Sequence, residues 1–395
     1  MGVAVTKFEM PRITMPAYRD LDWLLIGAVV ALMTVGILMV ASASMSLSEV
    51  RTGNPWSMAA KHGVFLVVGL LAATAISMIP VSAWQSYGWL LLVLTIAVLL
   101  MVLIPGVGRR VNGAQRWLNA GPFTVQASEL AKLMMIMFFA SYLARRHDEL
   151  KTTWAGVVKP LAVVCVVVLL LLLEPDFGGA VVIAGTVVAM MFFAGMKLWQ
   201  FFSLMALGGS GLLVIAILSP YRLQRLVTFL DPWADQFNSG YQLTQSLIAF
   251  GQGQWFGVGL GRSVQKLFYL PDAHTDFIFA IIGEELGLFG AVFVIALFGL
   301  VVFRILMLSR RAMRQNNVFV SLAAFGIAIL FAGQSFINMG VASSLLPTKG
   351  LTLPFISYGN NSVIVSCMLI GIVLRMDWEM LTQPVKDVST KRAAQ

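Results

Sequence analysis

The residues best able to do chemistry lie in "FYLPDAHTDFIFAIIGEELGLFG", residues 268–290, where Asp272, Asp276, Glu284 and Glu285 occur in a chain of 395 residues with only 18 acids. Asp276 stands where an apolar helix pattern begins, after His274 and Thr275. A carboxylate there suits either a helix cap that favours the dipole or a general base that takes a proton. Glu284 follows eight residues later, about 12 Å along a helix, so it reads as a separate, deeper group. With Glu285 it suits a buried polar link between helices or a proton relay. A second group is Glu129 and Lys132 in "SELAKL", on one helical face and able to neutralise each other. A third is "RRVNGAQRWLN", residues 109–119. There Arg109, Arg110 and Arg116 offer bidentate donors to a diphosphate or carboxylate, and Trp117 an interfacial anchor or a surface on which a sugar stacks.

The elements that must position these groups cross a membrane. The chain is 59% apolar and 11% charged, with mean hydropathy +0.86, whereas soluble domains carry about 25% charged residues. Runs near the 20 or so residues needed to cross hydrocarbon occur at 22–44, 63–79, 84–104, 125–144, 157–174, 177–195, 199–218, 277–303, 317–340 and 358–375. The predicted fold class is therefore an all-α polytopic membrane protein of about ten transmembrane helices. Residues 1–21 and 376–395 are expected as cytoplasmic tails and 22–375 as one membrane domain. The first apolar run exceeds a secretory h-region and is expected to be an uncleaved span.

An even helix count puts both termini on one side. The loops then expected inside hold the larger share of the 27 Lys and Arg residues, as the positive-inside tendency requires. Loops 105–124 and 219–276 still keep Arg109, Arg110, Arg116, Arg222, Arg225, Arg262 and Lys266 outside, which suits solvated loop charge or an anionic substrate. Segment 219–276 is too long for a structureless connection and is expected to hold short amphipathic helices. One of these follows Ser239 as N-cap and breaks at Gly251 and Gly253. Gly257, Gly259 and Gly261 suit tight turning or close packing better than phosphate binding, since no strand precedes them. Cys165, Cys367, His62, His147 and His274 have no metal-site or disulfide spacing. No P-loop pattern is present, so any driving force must come from an ion gradient or from the substrate.

Taken together, "NGAQRWL" at 112–118, "QASELAKL" at 126–133, "EPDFGGA" at 174–180, "GYQLTQSLIA" at 240–249, the run 257–287 and "LLPTKGLTLPFISYG" at 345–359 resemble the SEDS family, the shape, elongation, division and sporulation proteins. The chain is more similar to the division branch than to the elongation branch. One departure is visible: the family usually follows "SYG" with a glycine and serines, where Asn360 and Asn361 stand here.

The resemblance implies a peptidoglycan glycosyltransferase that polymerises lipid II at the outer face of the bacterial cytoplasmic membrane, at the division septum. It also implies work with a class B penicillin-binding protein and other division-complex membrane proteins, among membrane lipids and without nucleic acid. By motif, Asp276 corresponds to the family's essential aspartate and Glu129 and Lys132 to its polar pair. Arg116, Trp117, Arg222, Arg225, Arg262, Lys349 and His274 become candidate contacts for diphosphate, peptide carboxylate or sugar. No tightly bound cofactor is expected, although a divalent cation, Mg or Mn, suits the diphosphate. Two alternatives from other classes are a lipid II flippase, which would use Glu284 and Glu285 within the membrane, and a non-catalytic scaffold of the division complex.

Overall fold

The structure, a computed structural model, describes residues 21–111, 114–120, 123–217, 220–348 and 350–382. Ten long helices fall on the ten apolar runs: α1 (Trp23–Thr52), α2 (Ser57–Ser77), α4 (Gly88–Leu103), α5 (Ala127–Arg145), α7 (Trp154–Leu173), α8 (Phe177–Phe193), α9 (Leu198–Ile217), α12 (Ile278–Arg314), α13 (Val318–Ala342) and α14 (Asn360–Thr382). Among the described residues, six of these (α1, α2, α5, α7, α12 and α13) are long and apolar enough to cross a membrane, and α4 and α8 are shorter apolar helices. Helical backbone is the form such runs must take, because hydrocarbon offers no partner for an unpaired N–H or C=O. Short helices α3 (Val81–Ser86) and α6 (His147–Thr152) join the spans, and α10 (Pro220–Leu230) and α11 (Tyr241–Gly253) lie in the long loop.

Local signals set several ends. Asp22, Asp176 and Asn317 each accept a backbone N–H two or three positions into the helix they cap, satisfying donors the helix cannot. Ser239 is not the cap of α11, as its position suggested. That helix starts at Tyr241 with Gly240 at the cap, and the Ser239 hydroxyl is held instead by Asp235.

Two features depart from the sequence reading. Residues expected as a plain loop form an antiparallel sheet of β1 (Gly108–Val111), β2 (Ala114–Ala120) and β3 (Phe123–Gln126), in the order β1-β2-β3. In its register Trp117 faces both Arg109 and Gln126, and β3 runs directly into α5. The eighth span is also not one straight helix, because Gly287, with φ 68° and ψ −165°, breaks α12. Residues 278–286 are thus a short separate helix, packed against α11. A side chain at Gly287 would collide with the Gly257 amide at 2.4 Å, and one at Gly257 with the Glu285 carbonyl at 2.1 Å. Both residues hold positive φ, so this crossing of two backbones requires glycine on each side.

At one end of the bundle Arg304 meets Asp22 at 2.9 Å and Arg311 meets Asp377 at 2.8 Å. Ser309 donates to the carbonyl of Ser321 near that end. From these anchors Ser42 lies about 30 Å along α1 and Asn338 about 25 Å along α13, at about 1.5 Å per residue. Residues that touch Ser42 or Asn338 therefore belong to the opposite end.

Candidate active site

Asp276 and the Glu129–Lys132 pair both come to that opposite end. The first turn of α5 carries Glu129, whose Oε1 accepts from Lys132 Nζ at 2.7 Å with both side chains buried. The same ammonium donates to Gln334 Oε1 at 3.1 Å. Gln334 in turn donates through Nε2 to the carbonyl of Thr352 at 3.0 Å. One turn further along α13, Asn338 Nδ2 donates to the carbonyls of Asp276 (2.9 Å) and Leu351 (2.6 Å). An amide thus links each end of this ladder to the segment 350–353.

The backbone around Asp276 is fixed at three successive carbonyls. Tyr358 N donates to His274 O at 3.0 Å, Ser357 Oγ to Thr275 O at 2.6 Å, and Asn338 to Asp276 O. The helix that follows starts at Ile278 with Phe277 at its cap, so Asp276 stands one residue before the cap. Its side chain is half-buried, and a Cβ on Gly350 would lie 3.0 Å from its Oδ2. His274 is half-buried beside Tyr358, ring centroids 5.7 Å apart. Burial holds its imidazole below the usual histidine range, with Asp272 opposing and Arg51 reinforcing.

The rim is built from the β-sheet and the turn between α7 and α8. Arg116 on β2 donates through Nε to the carbonyl of Glu174 at 3.3 Å and through Nη2 to that of Pro175. Residues 174–178 pack onto the same 350–351 segment through Gly178 and Leu351. Asn361 donates to the carbonyl of Thr124 at 2.9 Å, so an asparagine that departs from the family pattern ties α14 to β3. Glu174 is buried, and among the described residues neither of its carboxyl oxygens has a hydrogen-bond partner. Burial, reinforced by Asp176 and opposed by Arg116, pushes it up to about 8.

Glu284 and Glu285 are not a deeper pair. Glu284 accepts from the Ser263 hydroxyl and from Val264 N at 2.8 Å. Glu285 accepts from Ser42 Oγ at 2.6 Å and Lys266 Nζ at 2.8 Å. The bond to Ser42 puts them at the same end as Asp276, because the break at Gly287 keeps residues 278–286 from descending with the rest of α12. They fasten the loop 254–266, and the polar-link reading holds with a loop and α1 as the partners.

The other candidates scatter. Trp117 is half-buried on β2. Arg262 is exposed, its backbone bonded to Gly259, on the segment that covers Glu284 and Glu285. Arg222 and Arg225 lie on α10, and their side chains, like the whole of Lys349, are outside the described residues. A cavity of about 300 Å³ between α10 and α11 is lined by Gln224, Asn238, Ser239, Tyr241, Gln242, Pro271 and Thr348. The sequence reading missed Gln334, Asn338, Ser357, Glu174 and the structural role of Lys266. Two amides one turn apart on an otherwise apolar helix were the available signal for the first two.

Residues 22–381 match the profile of the cell cycle protein family of FtsW, RodA and SpoVE. The chain belongs to this family. It is accordingly a polytopic protein of the bacterial inner membrane. It is 53% identical over 363 residues (92% of this chain, 94% of the relative) to a protein of Saccharophagus degradans named as a probable peptidoglycan glycosyltransferase FtsW. It is 51% identical over 358 residues (91% of each) to the protein of that name from Legionella pneumophila. Among solved structures it is similar to a chain of a peptidoglycan synthase complex described as coordinating polymerization and crosslinking (TM-score 0.75, 29% identity, 92% of this chain and 99% of that one). It is also similar to the rod shape determining protein RodA of Thermus thermophilus (TM-score 0.68, 26% identity, 93% and 100%).

Proposed function

We propose that this chain is a peptidoglycan glycosyltransferase of the division type, which polymerises lipid II into glycan strands at the end of the bundle that carries Asp276. Asp276 is the general base: it takes the proton from the 4-hydroxyl of the acceptor N-acetylglucosamine as that oxygen attacks the anomeric carbon of the donor. The bond to undecaprenyl diphosphate breaks, and the diphosphate leaves with the electron pair. The observation that carries this reading is a half-buried aspartate on a rigid backbone, joined through a ladder of amides to a buried lysine. A base of this kind is effective when held in place.

Lys132, oriented by Glu129, faces the headgroup, and cationic groups stabilise the leaving diphosphate. Arg116 acts through the turn it holds, and Trp117, His274, Arg222, Arg225, Arg262 and Lys349 supply rim contacts. The uncharged amides and Tyr241 of the cavity between α10 and α11 suit sugar hydroxyls. A divalent cation, Mg or Mn, enters on the diphosphate as part of the substrate. The partner is a class B penicillin-binding protein at the division septum, and both termini are cytoplasmic. The flippase reading loses its main support, because Glu284 and Glu285 are engaged in bonds with a loop rather than lining a path across the membrane.

The test is polymerisation of labelled lipid II by the purified full-length protein with its penicillin-binding partner. Glycan chains from the wild type and none from Asp276→Asn support the reading. Equal polymer from both rejects the base, and no polymer from the wild type together with lipid II translocation in vesicles selects the flippase.

A further inference from the structure

Asn338 is buried near the Asp276 end of the bundle, and its single amide nitrogen serves two segments that are distant in sequence: the carbonyl of Asp276 at 2.9 Å and that of Leu351 at 2.6 Å. A carboxamide nitrogen carries two hydrogens, so both carbonyls are satisfied by one side chain. An apolar residue of the same size would leave both buried and unpaired. Four residues earlier, and so on the same face of α13, Gln334 repeats the device with different partners, donating to Thr352 O and accepting from Lys132 Nζ. The two amides hold the segment from Leu351 to Thr352 along the side of α13. That segment begins at Gly350, which is exposed and stands close enough to Asp276 that a Cβ would lie 3.0 Å from its Oδ2.

We propose that Asn338 and Gln334 are positioning residues for Asp276. They set where its backbone stands, hold the Gly350 segment against its carboxylate, and fix the distance from that carboxylate to the Lys132 ammonium. This rests on the reading of Asp276 as the base. The carboxylate of an isolated loop would sample several rotamers, whereas here the nearby Gly350 backbone limits the space it can enter, and the ladder connects the backbone of the base to the cation through bonded groups. Neither amide touches the reacting atoms, so their effect falls on turnover rather than on substrate binding.

The test uses full-length protein with its penicillin-binding partner and compares steady-state polymerisation of lipid II by the wild type, Asp276→Asn, Asn338→Leu, Gln334→Met and Gly350→Ala. Asn338→Leu is expected to lower kcat about 100-fold, the cost of a misplacement near 1 Å, with KM within about threefold of the wild type. Gln334→Met is expected to lower kcat about 10-fold, a smaller misplacement than at Asn338 because Gln334 does not bond the backbone of Asp276 itself. Gly350→Ala alters an exposed position and makes the carboxylate give way by a few tenths of an ångström; it is expected to lower kcat about 10-fold at unchanged unfolding temperature. A merely structural role would lower the yield and unfolding temperature while leaving kcat per folded molecule intact, and that result overturns the proposal. Should Asn338→Leu fail to fold, Gly350→Ala decides: wild-type kcat overturns the proposal and a reduced kcat at unchanged KM supports it. Wild-type turnover by Asn338→Leu and Gly350→Ala beside an inactive Asp276→Asn rejects the positioning alone, whereas an active Asp276→Asn rejects the base reading and this proposal with it.

Discussion

Glu284 and Glu285 are fully buried under donors from a loop and α1, whereas Asp276 stands half-buried on a backbone held at three successive carbonyls. Both regions lie at the same end of the bundle and within ten residues of each other in sequence. The glutamates are fully buried and accept from a lysine, two serines and backbone amides of the loop 254–266 and α1. Around Asp276, three successive carbonyls are fixed while the side chain remains half-buried. A fully buried carboxylate saturated with donors fastens a loop; on the proposed reading, a half-buried one on a fixed backbone exchanges a proton with substrate. On that reading the difference separates an acid that holds structure from one that acts, although composition and spacing make them look alike.

The strongest way to break this contrast is at Asp276. Asp276→Asn is expected to lower polymerisation about 1,000-fold, within the range for loss of a general base, with its unfolding temperature close to that of the wild type. Both are read from purified protein in detergent, and turnover by the variant close to that of the wild type would put Asp276 in the same class as the glutamates.

The matching change on the other side is Lys266→Met, which strands the Glu285 carboxylate in a site where the pair is 8% and 0% exposed. Removing one partner of a buried pair costs about 3–5 kcal/mol. A large drop in unfolding temperature is expected, with turnover per folded molecule preserved, and Lys266→Met combined with Glu285→Leu should recover much of the loss. Loss of turnover without loss of stability would instead make the loop 254–266 part of the chemistry.

Glu174 sharpens the comparison as an acid that is buried but not bonded. Its folded value of about 8 lies above its ordinary 4.5, so the folded state holds the proton more tightly than the unfolded chain. Its favourable contribution is complete below pH 4.5 and is lost as pH rises towards about 8. Glu174→Gln keeps the neutral form and should flatten that decline. Unfolding temperatures measured from pH 5 to pH 9 would reveal it, and parallel curves for the two proteins would mean that the carboxyl is paired or solvated in solution.

The smallest effect is expected at Arg116→Lys, which loses the planar arrangement of donors to two carbonyls of the 174–175 turn. A stability loss of about 1 kcal/mol with a few-fold lower kcat is expected from turnover and unfolding measured together. A higher KM for lipid II alone would return Arg116 to direct contact with the substrate.

Much of this protein is legible from its sequence. Apolar runs of about 20 residues can only be satisfied as helices in hydrocarbon, so the ten segments and their order followed from composition. The motifs carried the family, Glu129 and Lys132 paired at the spacing of one helical turn, and the left-handed conformations at Gly257, Gly259 and Gly261 suited residues without a Cβ. The tertiary structure alone decided what depends on contacts between distant residues. Local pattern cannot show that Gly287 breaks α12, because the break depends on Gly257 crossing it. Nor can it show that β1, β2 and β3 form a sheet on the site, or that Arg116 grips a turn 58 residues away. Gln334 reaches across 202 residues to Lys132, and Asn338 across 62 to Asp276. Their chemistry is a hydrogen-bonding amide anywhere in the chain, and it becomes a frame for Asp276 only where folding brings two backbones within reach of one side chain.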